Sequence, residues 1–145
     1  MPASAHIPNH YLYMLKTKQI NEASDEYIVI LMNTTFTFDI DAHATLVDVT
    51  ADQLATGNGY TQNSKVLTGV SVVEDDLLDK CTTEWSNPTW AAVGGAIGPT
   101  GGAIIYNNRV ADKSIAMWLD FGADYTTPDT QSFQIQNIGL YMGMT

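Results

Sequence analysis

Short runs of β-branched and aromatic residues, separated by turn-forming residues, recur along most of this chain. Residues 27–32 form a continuous apolar run, which is typical of a strand covered on both faces. Turn signals interrupt the runs about every 8–12 residues, as in antiparallel sandwiches and barrels. The predicted strands cover residues 27–32, 35–38, 65–73, 82–85, 89–93, 103–106, 114–121 and 132–138, the last continuing towards residue 142. The pattern predicts an all-β fold, specifically a single antiparallel β-sandwich of jelly-roll or immunoglobulin-like type.

The N-terminal part of the chain follows a different pattern. Residues 1–8 contain two prolines and little periodicity, which predicts an extended arm that is loosely held unless a partner orders it. Apolar residues then recur at near-helical spacing over residues 11–20, and Asn9 is the expected N-cap of one short helix. The expected organisation is therefore an arm over residues 1–8 and one β-sandwich domain over residues 9–145.

Five glycines lie between residues 94 and 102. Glycine at this density predicts a mobile loop before the next strand. A phosphate cradle is not expected, because the segment lacks a Gly-Lys-Ser/Thr ending and a helical pattern after it.

The net charge of the chain limits the classes of molecule that it can bind. With 16 acidic and 6 basic residues the formal net charge is −10, which repels nucleic-acid backbones and anionic lipid headgroups. No apolar run reaches the length of a membrane span, and the first residues lack the pattern of a signal peptide. Cys81 is the only cysteine, so neither an intramolecular disulfide nor a cysteine-based zinc site is expected. We expect a protein made in a cytosol, with no nucleic-acid or membrane partner.

The groups able to perform catalysis form no recognised arrangement. The acidic run at residues 74–79 is interpreted as a solvated loop rather than as an acid–base pair. A Gly-x-Ser-x-Gly motif is absent, and no Cys/His motif surrounds Cys81. The sequence therefore predicts no catalytic residue, no cofactor and no enzymatic activity.

One acidic loop carries candidate calcium ligands, Asp39, Asp41 and Asp48. Carboxylate oxygens are the ligands that Ca²⁺ prefers, and the first two residues alternate along the chain with His43. The loop lacks the glycine and the terminal glutamate of a full calcium loop. The favoured interpretation is therefore a turn whose acids accept hydrogen bonds from their own backbone, with no metal bound.

A series of short motifs follows the predicted helix and first strand in a fixed order. They are an acidic loop at residues 38–43, a Gly-Tyr-Thr turn at 59–61, a Leu-Thr-Gly strand at 66–70, a Trp-containing strand at 88–90, an Ile-Tyr strand at 102–106 and an aliphatic run ending in Asp-Phe-Gly at 115–122. In this order the motifs resemble a family of small structural proteins encoded among the virion genes of tailed bacteriophages. The turn at residues 107–109 and the apolar C-terminal end depart from the family pattern.

The resemblance implies a capsid decoration (cement) protein that binds the head surface and stabilises it. Its expected partners are the major capsid protein and identical subunits, as a homotrimer assembled in the host bacterial cytoplasm and located on the capsid surface of the virion. Besides the glycine-rich segment, contact residues are expected in the arm and in the apolar tail, since these match bulk water poorly. They are Ile7, Pro8, Leu140, Tyr141 and Met142.

Two alternatives remain open. The chain has features equally expected of a tail or neck component of the particle. A carbohydrate-binding module for host attachment would instead use exposed aromatic rings, and Tyr125 in a polar loop is the first candidate. Trp90 and Trp118 are flanked by apolar residues and are expected in the core.

Overall fold

The computed structural model describes residues 4–143 and consists mainly of antiparallel β-strands, as predicted. The elements in chain order are β1 (Ser4–His6), α1 (Asn9–Lys16), β2 (Tyr27–Asn33), β3 (Lys65–Val66), β4 (Ser71–Asp75), β5 (Lys80–Glu84), β6 (Thr89–Ala91), β7 (Ile97–Asn107), β8 (Ile115–Thr127), β9 (Ser132–Gln134) and β10 (Gly139–Gly143). The described strands form sheets of five, three and two strands, with the orders β1-β8-β7-β2-β3, β10-β5-β4 and β6-β9.

Strand β2 lies inside the five-stranded sheet and is buried on both faces, which confirms the prediction from its continuous apolar run. Successive side chains of a strand point to opposite faces, so alternate residues enter different cores. Tyr27, Val29 and Leu31 enter the larger core, which also contains residues of α1 and of both smaller sheets. Ile28 and Ile30 enter a second core on the other face.

The second core explains why the predicted strand at residues 35–38 is wrong. The backbone turns after β2, where the Phe36 N–H donates to the Asn33 carbonyl at 3.1 Å. Phe36 is buried, and its ring packs edge-on against Trp118 with 5.0 Å between the ring centroids. The alternation of threonine and phenylalanine therefore belongs to a loop that places aromatic rings on the sheet.

Two other predicted strands are each divided between separate sheets. Residues 65–73 form β3 and β4, and residues 132–142 contribute to β9 and β10. The first division occurs near Gly69, which has φ +66. A Cβ atom there would lie 2.3 Å from the Ser86 Oγ, so glycine is needed for both the backbone angle and the close approach.

The glycine-rich segment is not a separate mobile loop, contrary to the prediction. Its second half, from Ile97, begins β7 and pairs with β8 with several register shifts. A Cβ atom on Gly102 would lie 2.1 Å from the Trp118 Cη2, so the missing side chain makes room for the indole. Here glycine permits close packing between neighbouring strands.

The described part of the N-terminal arm pairs with the protein's own sheet. Residues 4–6 form β1, in which Ala5 lies opposite Leu119 of β8. Helix α1 begins and ends earlier than predicted. Its N-cap is Pro8 rather than Asn9, and Lys18 just after the helix has φ 62, which is incompatible with a continuing helix.

A buried carboxylate connects the segment before β2 to the turn after β7. The Asp25 side chain is 2% exposed and forms an ion pair with Arg109, whose side chain is 53% exposed. It also accepts hydrogen bonds from the Asn21 N–H at 3.0 Å and the Asn107 Nδ2 at 2.8 Å. Burial opposes ionisation, but the hydrogen bonds from Arg109, Asn21 and Asn107 outweigh it and hold the pKa of Asp25 below its usual value.

A second polar cluster joins α1 to the strands. The Tyr11 hydroxyl lies 2.7 Å from both the Glu22 Oε1 and the Tyr27 hydroxyl, and Thr83 of β5 donates to the other oxygen of Glu22. Burial, with the neighbouring Tyr27 and Glu22, raises the pKa of Tyr11. Burial likewise raises the pKa of Tyr27 to about 12. These hydroxyls therefore stay protonated and able to donate.

Candidate assembly surface

Strands β4 and β5 form a hairpin at one edge of the three-stranded sheet. The pairing is continuous from Ser71–Glu84 to Asp75–Lys80, and within residues 4–143 β4 pairs with no strand other than β5. The Asp75 Oδ1 accepts hydrogen bonds from the backbone N–H groups of Leu77 and Leu78, both at 3.1 Å. An aspartate that bonds the backbone two residues ahead stabilises a turn, so this tip has a defined shape.

The hairpin exposes large apolar side chains. Leu77 and Leu78 at its tip are 90% and 60% exposed, and Val72 and Val73 on β4 are 46% and 52% exposed. Because Val72 and Val73 point to opposite faces, both faces of the edge strand keep a half-exposed valine in the part of the chain that the structure describes. Single exposed apolar residues are common on proteins, but a group of them on one hairpin is typical of a surface that contacts another molecule.

The same hairpin is strongly acidic. Residues 71–84 contain five acids and one lysine, a formal net charge of −4. The Lys80 Nζ lies 4.8 Å from the centroid of the Tyr141 ring on β10, so this cation contacts an aromatic face of its own sheet. The predicted solvated acidic loop is thus the turn of the hairpin, and its acids surround exposed leucines.

The predicted contact residues have different surroundings. Pro8 and Leu140 are buried, and Ile7 is half-buried against the protein's own core. Tyr141 is 50% exposed beside the hairpin, while the backbone of Met142 belongs to β10 and its side chain lies outside the described part. Of the described side chains in this predicted set, Tyr141 is the one that presents a large exposed surface to a partner.

The three candidate calcium ligands bond to nearby protein groups. The Asp39 Oδ1 accepts hydrogen bonds from the N–H groups of Asp41 and Ala42, and the Asp48 Oδ2 accepts from those of Ala44 and Thr45. These backbone bonds lower the pKa of both Asp39 and Asp48. Asp41 accepts a hydrogen bond from the Asn9 side chain at 2.7 Å. Within residues 4–143, no group of three or more His, Cys, Asp or Glu side chains is arranged to hold a metal ion.

Aromatic residues line a groove next to the C-terminal strand. The groove has a volume of about 650 Å³, and Phe121, Tyr125, Phe133 and Tyr141 contribute to its walls. Tyr125 is 43% exposed and contacts Phe121 edge-on, with 6.1 Å between the ring centroids. Trp90 and Trp118 are buried as predicted, so neither indole is presented on the surface.

The apolar hairpin was not recognised as a contact surface from the sequence. Its signal is the pair Leu77-Leu78 within an acidic run, which gives apolar side chains to a segment that otherwise favours water. A sequence pattern of this kind does not reveal whether the leucines fold back onto the core; in the structure both are exposed at the turn that Asp75 stabilises.

Comparisons with protein-family models, curated proteins and solved structures found no match. Among the elements of residues 4–143, none is a helix long and apolar enough to cross a membrane. The exposed groups of the hairpin and the groove are the features of the molecule that indicate a function.

Proposed function

We propose that this chain is a non-enzymatic structural component of a tailed-phage particle, acting as a capsid decoration protein that binds the head surface and stabilises it. The observation that carries the proposal is the β4–β5 hairpin with Leu77 and Leu78 exposed at its tip. A partner that covers these apolar side chains removes them from water, and this burial lowers the free energy of the complex.

The proposed mechanism is mechanical and needs no chemical step. A protein that binds only the assembled head lowers the free energy of the assembled state by mass action. Disassembly then requires the added contacts to be broken as well. The major capsid protein is the proposed partner at the hairpin, and the site of action is the capsid surface after assembly in the host cytoplasm.

The packing of the three sheets and the association of subunits are part of the same proposal. We infer a single sandwich in which the five-stranded sheet packs against the two smaller sheets, because residues of all three share the larger core. Identical subunits associate as a homotrimer in this proposal. Tyr141 and the groove beside it are the surface proposed for those contacts.

The test is cosedimentation with empty expanded heads of the encoding phage. Wild-type protein is expected to pellet with heads at saturating occupancy, and the double variant Leu77→Ser/Leu78→Ser is expected to lose at least tenfold in affinity. Removing two apolar side chains from an interface centre costs about 1–2 kcal/mol each, and tenfold corresponds to about 1.4 kcal/mol.

The matched control replaces two exposed valines elsewhere on the surface. Val47 and Val93 are 77% and 68% exposed, so Val47→Ser/Val93→Ser removes similar apolar surface away from the hairpin. This control is expected to pellet like wild type. Equal loss by both double variants would contradict a contact made through the hairpin, and wild-type protein that ignores heads would contradict decoration. Heads decorated at the neck or tail junction alone would move the protein to that part of the particle.

The exposed Tyr125 supports a second candidate function, carbohydrate binding in host attachment. An aromatic ring beside a groove of about 650 Å³ offers a stacking surface for a sugar. A glycan-array signal that Tyr125→Ala abolishes would favour this function. Absence of signal across a broad array would count against carbohydrate binding.

A further inference from the structure

The outer edge of β4 is an unprotected strand edge. Edge strands usually avoid pairing with other chains by being very short, bulged, or supplied with lysine or proline. Strand β4 has five residues in continuous register with β5, contains neither lysine nor proline, and carries charge only at its last two residues, Glu74 and Asp75. Within residues 4–143 no other strand pairs with its outer edge, so the backbone there can accept another strand.

Charge decides what kind of strand fits there. The last two residues of β4 are Glu74 and Asp75, and Asp76 and Asp79 follow in the turn. A second copy of the hairpin would bring the same net charge of −4 against itself. Like charges placed opposite each other across strands are destabilising, whereas opposite charges stabilise the pair and accelerate encounter.

We propose that β4 accepts an extended, basic segment of a partner protein as an added strand. Main-chain hydrogen bonds along β4 provide the affinity in this mode of recognition, and alternate side chains provide specificity. Lysine or arginine side chains of the segment lie on the face that carries Val72 and Glu74, opposite Glu74 and close to Asp76 in the turn, while its apolar side chains lie on the other face and cover Val73. The inference rests on the proposed function, since it specifies the chemistry of the partner segment that binds the same hairpin.

The test uses the full chain and two synthetic peptides. One peptide alternates lysine with valine, and the other carries glutamate at every lysine position. Titration of the lysine peptide into ¹⁵N-labelled protein is expected to shift the backbone amides of residues 71–75 and to slow their hydrogen exchange. The glutamate peptide is expected to leave these amides unchanged.

Charge-reversed variants separate local recognition from overall attraction. Glu74→Lys/Asp76→Lys is expected to weaken binding of the lysine peptide about tenfold or more and to permit binding of the glutamate peptide. Asp124→Lys/Asp129→Lys makes the same change in net charge at exposed positions elsewhere, and it is expected to keep the wild-type preference. Both variants should retain the wild-type amide spectrum away from the substitutions.

Three results would overturn the inference. They are no protection of the β4 amides by the lysine peptide, equal protection by both peptides, and equal weakening by both double variants. Light scattering tests whether the wild-type protein is a dimer. If it is, and if Glu74→Lys/Asp76→Lys strengthens or abolishes that dimer, the edge would be assigned to a second copy instead. Head binding that persists when the peptide test fails would leave the proposed function intact, and peptide binding without head binding would contradict the proposed function alone.

Discussion

Removal of the Asp25 side chain is the substitution for which the structure predicts the largest polar effect on stability. Asn107 is fully buried, and its Nδ2 donates a hydrogen bond to the Asp25 carboxylate at 2.8 Å. In Asp25→Ala the buried Asn107 donor loses its acceptor, which costs about 1–3 kcal/mol, and the N–H of the exposed Asn21 loses its acceptor as well. Arg109 is half exposed and can turn to water, so its loss adds little. The expected decrease in unfolding free energy is about 3 kcal/mol.

Urea denaturation measures this decrease, and an unchanged slope of free energy against urea would show that the unfolded state is unaffected. Asp25→Asn keeps the side-chain volume and one acceptor oxygen, so it should cost about 1–2 kcal/mol. Asp124→Ala is the control, because this aspartate is exposed, and it should change stability by less than about 0.5 kcal/mol. A cost for Asp25→Ala no larger than that of the control would refute the reasoning.

The pH dependence of the same variants gives a second check. Because the folded pKa of Asp25 lies below its unfolded value, its ionised form stabilises the fold above about pH 4. This contribution disappears as the pH falls through the folded pKa. The difference in stability between wild type and Asp25→Asn should therefore be constant at neutral pH and shrink in acid. A difference that grows as the pH falls below 4 would show the opposite sign of coupling.

Two further substitutions test particular contacts. Tyr11→Phe removes a buried hydroxyl that joins α1 to Glu22 and Tyr27. It should lower the free energy of unfolding by about 1–2 kcal/mol in thermal or urea denaturation. Tyr13→Phe, on the exposed face of α1, is the control and should be neutral. Gly102→Ala places a methyl group against the Trp118 indole and should lower the free energy of unfolding by about 2 kcal/mol or more. Gly101→Ala is the control, because its methyl group approaches the tip of the exposed Asp124 side chain at 3.0 Å, and it should cost much less. Equal effects within either pair would contradict the packing described for it.

The continuous apolar run of β2 was enough to predict a strand covered on both faces, because no solvent-facing strand would keep every position apolar. Glycine was less informative. At residues 94–102 it was interpreted as flexibility, whereas Gly102 serves close packing against Trp118. A sequence pattern does not distinguish these two uses of a missing side chain, since the neighbouring strand decides between them.

The same limit applies to residues 35–38 and to the contact residues. Alternating threonine and phenylalanine satisfied the period of a strand, yet Phe36 reaches Trp118 from a loop. Leu140 and Pro8 were apolar residues near the chain ends and were assigned to a partner, but both are buried in the chain's own fold. Leu77 and Leu78, which were not assigned to a contact, are exposed at a turn in which their backbone N–H groups donate to Asp75.

Direct imaging of decorated heads tests the central claim that the hairpin is the contact surface. Empty expanded heads incubated with the purified protein would be examined by cryo-electron microscopy, and the chain would be fitted into the added density. We expect the β4–β5 hairpin to lie against the major capsid protein with Leu77 and Leu78 covered. Added density in which the hairpin points into solvent, or heads that carry no added density, would contradict it.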